Sequence, residues 1–266
     1  MKNSVSFCKK YFDLRAKSYG RYVKTYTDPK LYKLMLKPII EIFGKNKKLT
    51  VLDAGCGVGL STLHLKEQGH DIWYMDFSEE MIKRGISLGI IPANRYIIHD
   101  LNAIPWPFSS NRFDLIVMRY VFHDIKDKDR ILMEIKRILR PGGVLQIVDM
   151  YAKNSIDKEF YNEIHGWKTI FNHKIQCYIL TEQEYIDLLK HSSFRIITKS
   201  YYTSYVSTKD WIQEGQITEE RAQFIRQLIQ RYITKYPELK KEFNIDFREN
   251  DIEFGFPILV ITARKE

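Results

Sequence analysis

The residues best suited to chemistry stand together in Val51-Leu52-Asp53-Ala54-Gly55-Cys56-Gly57-Val58-Gly59. An apolar run ends in a turn where Gly55 and Gly57 let the backbone come close to a ligand. The helix expected behind it offers free amides at its N-terminus. A glycine-rich turn alone says little. Here it is answered by Asp76, 23 residues after Asp53, about the offset at which an acidic residue on the next strand bonds ribose hydroxyls. A dinucleotide fingerprint would place Gly or Ala at the sixth position from Gly55, where this chain has Leu60. Asp53, two residues ahead of the first glycine, sits badly beside a pyrophosphate. It sits well beside a ligand with an ammonium and a sulfonium, because opposite charges attract in a partly desolvated site.

Such a turn has to lie at the end of a strand, and the flanking pattern supplies one. Leu49–Ala54 reads as a buried strand, Gly59–Gln68 as a helix stopped by Gly69, Asp71–Asp76 as a second strand, and Ser78 with Glu79 and Glu80 as the start of a second helix. Further strands are expected at Arg95–His99, Phe113–Tyr120 and Val144–Asp149, with a helix at Asp127–Leu139 closed by Arg140-Pro141-Gly142-Gly143. The fourth strand is apolar almost throughout, as in a sheet covered on both faces. This alternation predicts an α/β fold, a doubly wound and mostly parallel sheet. Residues 7–44 read as helical with a turn at Asp28-Pro29. Helical stretches at 156–175 and 181–191 precede a strand at Phe194–Tyr201. Lys209–Phe243, broken at Tyr236-Pro237, reads as two helices before a seventh strand at Pro257–Ala263. The expected organisation is a helical N-terminal lid, 1–48, on a core of residues 49–266 with helical insertions at about 155–180 and 209–243, forming one integrated domain.

With 44% hydrophobic residues the chain can bury a real core. No run approaches the ~20 apolar residues of a membrane helix. The first residues lack the apolar region of a secretory signal, so a cytoplasmic protein is expected. Cys8, Cys56 and Cys177 are too few and too scattered for a disulfide framework or a zinc cluster, and His165 and His173 stand eight apart with no third ligand at metal spacing. No metal is expected. The net charge of +9 lies entirely in residues 1–48, where thirteen Lys/Arg face three acidic residues and Tyr11, Tyr19, Tyr22, Tyr26 and Tyr32 interleave. Such a surface suits an anionic small molecule or RNA, or simply solvates helix faces.

The chain resembles the class I S-adenosylmethionine-dependent methyltransferases. The resemblance rests on VLDAGCGVG (51–59), Asp76-Phe77-Ser78 with Met81, His99-Asp100-Leu101, Pro105-Trp106-Pro107-Phe108 ahead of Phe113-Asp114-Leu115-Ile116, and Leu139-Arg140-Pro141-Gly142-Gly143, all in the family's order. Phe12-Asp13-Leu14-Arg15-Ala16-Lys17-Ser18-Tyr19 is similar to the FDxxAxxYD opening of the ubiquinone/menaquinone-biosynthesis type, with Gly20 in place of the closing Asp. The C-terminal third matches no such motif, and substrate identity is expected there. The resemblance implies a Rossmann-like seven-stranded sheet and S-adenosyl-L-methionine as cofactor. Gly55 and Gly57 would pass under its methionine part, with Asp53 receiving the ammonium. Asp76 would take both ribose hydroxyls, Phe77 and Met81 would sandwich the adenine, and Asp100 with the Leu101 amide would read the adenine edge. Tyr11 and Tyr19 would close over the cofactor. Arg119 would meet its carboxylate or line the acceptor pocket.

A sulfonium already activates its methyl group, so the site has to align an in-line attack and manage one proton. His123, just past the fourth strand, is the candidate general base, with Asp124 to orient it. Arg119-Tyr120-Val121-Phe122-His123 contains neither the Asn/Asp-Pro-Pro-Tyr/Phe of amino-methylating enzymes nor the Pro-Cys of cytosine methylases. The expected function is methyl transfer to oxygen, nitrogen or carbon of a small aromatic or anionic acceptor. An RNA methyltransferase and a non-catalytic cofactor-binding protein are the other readings. Tyr201-Tyr202-Thr203-Ser204-Tyr205 is expected to wall the acceptor pocket, and the oligomeric state is left open.

Overall fold

A computed structural model describes residues 2–17, 28–169, 174–214 and 216–266, with the backbone alone for residues 2–8. Its sheet contains β1 (Thr50–Ala54), β2 (Asp71–Asp76), β3 (Tyr96–Ile98), β4 (Phe113–Arg119), β5 (Leu139–Ala152), β6 (Leu180–Thr181), β7 (Phe194–Ser207), β8 (Asp246–Arg248) and β9 (Asp251–Lys265). The main path runs β3-β2-β1-β4-β5-β9-β7. The first five of these pair in parallel, and β9 runs antiparallel between β5 and β7. The short β6 pairs with β5 and β8 with β9. The order reverses between β1 and β4, and a crevice for ligands opens beyond the carboxyl ends of strands at such a switch point.

Strand periodicity explains why two layers of helices are needed. Val51, Leu115 and Val117 enter one apolar cluster, while Leu52, Ala54, Ile116 and Met118 enter another. Successive side chains of β1 and β4 therefore point to opposite faces, and both faces are buried. The described helices are α1 (Lys2–Arg15), α2 (Pro29–Phe43), α3 (Leu63–Glu67), α4 (Glu79–Ser87), α5 (Lys128–Ile138), α6 (Ser155–Trp167), α7 (Glu182–His191), α8 (Thr208–Gln213), α9 (Glu219–Lys235) and α10 (Glu238–Glu242). Their starts carry local signals. Asp28 caps α2 ahead of Pro29, Ser78 accepts from the Met81 amide at α4, and Thr181 and Ser207 form capping boxes with Glu184 and Asp210.

Several boundaries depart from the sequence reading. The helix expected at Gly59–Gln68 begins as a tight turn at Leu60–Thr62 and becomes α3 only at Leu63, because Gly59 is left-handed at φ 87°. The first insertion helix stops at Trp167 rather than 175, and Lys209–Phe243 holds three helices rather than two. The break at Tyr236-Pro237 is where expected, between α9 and α10. The strand expected to end at Tyr201 continues to Ser207, and its partner β9 begins at Asp251 rather than Pro257. The tyrosine-rich stretch thus belongs to a strand whose residues alternate between faces.

The insertion helices meet over the strand ends through aromatic contacts. Phe160 and Tyr161 of α6 pack on Phe243 with ring centroids 4.9 and 5.1 Å apart. Tyr161 stacks on Phe256 of β9 at 4.6 Å, and Trp211 of α8 packs edge-on against Phe254 at 5.1 Å. On the opposite flank α1 packs on α4. Asp13 accepts from the Ser78 hydroxyl at 2.5 Å, and Phe12 meets Phe77 edge-to-face at 5.7 Å.

Candidate active site

The glycine turn closes against β2 through one carboxylate. Asp76 Oδ2 accepts from the Gly57 amide at 2.8 Å and Oδ1 from the Ser78 amide at 2.9 Å. Asp76 therefore lies on the same side of the sheet as the turn and splints it to the start of α4. Each of its oxygens keeps a further lone pair for a ligand hydroxyl. Gly55 sits at φ 74°, and a Cβ there would lie 2.6 Å from Val121 Cγ2. Both its conformation and its contact with the chain after β4 thus demand glycine. Burial pushes the Asp76 carboxyl up to about 6.

Around this turn opens a cleft of about 800 Å³. Phe77, Met81, Asp100, Leu101 and Arg119 line it with Gly55, Gly57 and Asp76, under the cover of Phe12. Asp53 lies beneath the turn, wholly buried, and is not on the cleft wall. Thr62 donates to its Oδ2 at 2.9 Å, while Oδ1 has no partner. Burial raises this carboxyl to about 7. Arg119, also buried, leaves one terminal guanidinium nitrogen without a partner. Tyr32 donates to the Leu60 carbonyl at 2.6 Å, and Arg119 lies 5.7 Å from the Tyr32 ring.

A second, smaller cavity of about 140 Å³ adjoins the cleft. Phe12, Tyr120, Asp124 and Ile175 line both and form the boundary between them. The rest of its wall comes from α1 (Tyr11, Arg15), from His165 and Lys168, from α8 and the residues after it (Trp211, Glu214), and from β7 and β9 (Ser204, Val206, Phe256). His123 projects into it from the short turn Phe122–Asp124. Asp149, at the end of β5, accepts from the His123 amide at 3.0 Å and sits 2.8 Å from ring Nδ1. It also accepts from the Met150 amide at 2.7 Å. Nδ1 therefore carries the hydrogen, and Nε2 of the neutral ring is left with its lone pair. Asp124 Oδ1 lies 3.5 Å from Nε2. Burial opposes a charged ring, yet Asp124 and Asp149 outweigh it and hold the His123 pKa above its ordinary value.

Residues 52–147 match the family described as a methyltransferase domain. Over 170 residues the chain is 30% identical to a demethylmenaquinone methyltransferase of Listeria monocytogenes, covering 61% of this chain and 66% of that one. Over 117 residues it is 30% identical to the ubiquinone/menaquinone biosynthesis C-methyltransferase UbiE of Shewanella sp. ANA-3, covering 41% and 46%. The chain thus spans just under two thirds, or less, of the relatives it matches. Among solved structures, the YcgJ protein of Bacillus subtilis shares the fold with a TM-score of 0.70 at 21% identity, over 88% of this chain and 98% of that one.

Over these residues the chain is similar to S-adenosylmethionine-dependent methyltransferases.

Such a methyltransferase domain implies S-adenosylmethionine as cofactor, and the cleft can be tested against it. An unpartnered buried carboxylate oxygen on Asp53 and an unpartnered guanidinium nitrogen on Arg119 answer an ammonium and a carboxylate. The glycine turn leaves room for a backbone-hugging chain, Asp76 retains acceptors for a sugar, and Phe77 and Met81 supply apolar walls. The residues fit the group. Asp100 Oδ1 also accepts from the Asn102 amide at 2.9 Å, which fixes its loop beside Leu101.

Other sequence-chosen residues fall elsewhere. Tyr11 does not line the cofactor cleft. It faces the smaller cavity and donates to the Lys168 carbonyl at 3.3 Å, because adjacent residues on α1 point in different directions and Phe12 takes the cleft side. Tyr19 lies outside the described residues. The tyrosines of β7 do not wall the cavity. Ser204 and Val206 do, while Tyr201 and Tyr205 are more than half exposed on the other face. Asp149 was missed as the partner of His123. An acidic residue at the carboxyl end of a parallel strand was a usable signal. Lys168, Arg15 and Trp211 carried none, since nothing local links them. Among the described residues no group of His, Cys, Asp and Glu is arranged to hold a metal, and no helix is long and apolar enough to cross a membrane.

Proposed function

We propose that this methyltransferase acts on a small molecule held in the cavity beside the cofactor cleft, at an atom whose proton His123 removes. The observation that carries the reading is the His123–Asp149 pair, set into a cavity that shares only a thin boundary with the cleft. The bound cofactor supplies a methyl group on a positively charged sulfur, already activated for displacement. The chain's own part is alignment and proton handling. Phe12, Tyr120 and Ile175 hold the two reacting partners face to face at the boundary and exclude water. Asp149 holds the imidazole by Nδ1, so that Nε2 points its lone pair outward and takes the acceptor proton. Asp124, at the same boundary, balances the imidazolium that results.

An acceptor hydroxyl or an enol-like carbon suits this arrangement, because both need a base before they attack. The Listeria relative is a demethylmenaquinone methyltransferase. Purified protein is expected to transfer labelled methyl from S-adenosylmethionine to hydroxylated aromatic acceptors, with kcat rising with pH through a value above the ordinary ~6.5 of histidine. Undiminished turnover below pH 5 would remove His123 from the role of base.

A further inference from the structure

The mechanism leaves the cations of the acceptor cavity without a task. Glu214 acts electrostatically on both Arg15 and Lys168, and the Arg15 guanidinium also lies 5.2 Å from the Tyr11 ring. Lys168 follows directly on α6, and its Nζ lies 5.0 Å from the centroid of the Trp211 ring. Among the described residues no carboxylate comes within 4 Å of it and it donates no side-chain hydrogen bond. Lys168 is half-buried, so its three donors are open to a ligand that enters the cavity. Trp211 in turn stacks on Phe256, with their planes 15° apart. The cavity therefore joins a flat aromatic wall, an ammonium that closes no ion pair within 4 Å among the described residues, and a proton-accepting imidazole.

We propose that Lys168 is the recognition site for a carboxylate on the acceptor, which lays its flat body along Trp211 and Phe256 and presents its nucleophilic atom to His123. This rests on the methyltransferase reading above and names the acceptor class for it. A monoanion fits better than a phosphate dianion. Asp124, Asp210 and Glu214 line the same space, and a second negative charge would meet them with Arg15 and Lys168 already drawn toward Glu214. Desolvation and Arg15 lower the pKa of this ammonium to about 8 against the opposing pull of Glu214 and Asp124. A bound carboxylate reverses that.

The test uses the full chain saturated with S-adenosylhomocysteine and two matched probes, 4-hydroxybenzoate and 4-hydroxybenzamide, titrated by ligand-observed NMR. The wild-type protein is expected to bind the acid at least tenfold more tightly than the amide. Lys168→Met should bring the two within twofold while leaving S-adenosylhomocysteine affinity unchanged, and Lys168→Arg should keep most of the preference. Equal binding of acid and amide by the wild type, no binding of the acid, or a preference that survives in Lys168→Met overturns the proposal. If Lys168→Met does not fold, the wild-type ratio and the Lys168→Arg ratio still decide. Methyl transfer to the amide as readily as to the acid sinks the carboxylate site and leaves the methyltransferase reading standing. Wild-type turnover by His123→Ala sinks the base assignment and leaves the carboxylate site standing.

Discussion

The cofactor cleft and the acceptor cavity share four wall residues and are built by opposite means. Apart from Phe12 and a strap at 174–178, the cleft is drawn from residues 55–131, and its working parts are largely backbone. A glycine turn, two amides held by Asp76 and a loop tied by Asp100 shape it. The cavity is drawn from residues 11–258, and its working parts are side chains from helices and strands far apart in sequence. A region shaped by local backbone geometry can change little without losing its ligand. A region walled by side chains from inserted helices can be refitted to a new acceptor while the cleft stays intact. The two should therefore fail independently, and the predictions that follow try to make them fail together.

The largest effect belongs to the cavity. His123→Ala is expected to lower kcat by about 10²–10⁴, the usual contribution of a placed general base. Affinity for S-adenosylmethionine, measured by calorimetry, should stay within twofold. A comparable loss of cofactor affinity would mean that the two regions are one site. Next comes the cleft. Asp76→Ala frees the Gly57 and Ser78 amides that it now holds. Leaving buried donors unsatisfied costs on the order of 1–3 kcal/mol, so cofactor affinity should fall roughly ten- to a hundredfold. Acceptor KM, measured at saturating cofactor, should hardly move.

This division also explains what could be read from the sequence. The glycine turn, Asp76, Asp100 and Arg119 were legible because each acts within a turn or two of a strand end, and strand ends show in the hydrophobic pattern. The doubly wound, mostly parallel sheet followed from the same alternation. Lys168 and Trp211 were not legible as one site, because 43 residues and two strands separate them and only tertiary packing brings them together. Asp53, expected to receive the ammonium, is wholly buried and off the cleft wall, with one carboxylate oxygen left unpartnered. Spacing fixed its strand position, but not how deeply it would be buried.

The titration behaviour of the cleft sharpens the contrast. Burial holds the carboxyl of Asp53 at about 7 and that of Asp76 at about 6. Between pH 4 and 7 the folded protein then binds more protons than the unfolded chain. Its stability should fall as pH rises through that window, by several degrees in Tm. A cationic ligand favours the ionised carboxylates, so the stabilisation given by S-adenosylmethionine should grow over the same range. Scanning fluorimetry at pH 5 and 8, with and without cofactor, measures both slopes. A cofactor shift that shrinks from pH 5 to pH 8 would mean that neither carboxylate feels its charge.

The smallest effects test the alternation of β7. Ser204 and Tyr205 are neighbours, yet Ser204 faces the cavity and Tyr205, 54% exposed, faces outward beside Gly255. Ser204→Leu adds bulk to an enclosed space and should raise acceptor KM several-fold without touching cofactor affinity. Tyr205→Ser removes a far larger group from the outer face. It should change stability by no more than about 0.5 kcal/mol and leave both KM values where they were. The tyrosines' size and flatness favoured them as pocket walls on sequence alone, but strand pleating assigns faces by parity rather than by side-chain type. If Tyr205→Ser proved the more damaging to acceptor KM, β7 would be in the wrong register against β9, and the cavity described here would lose one of its walls.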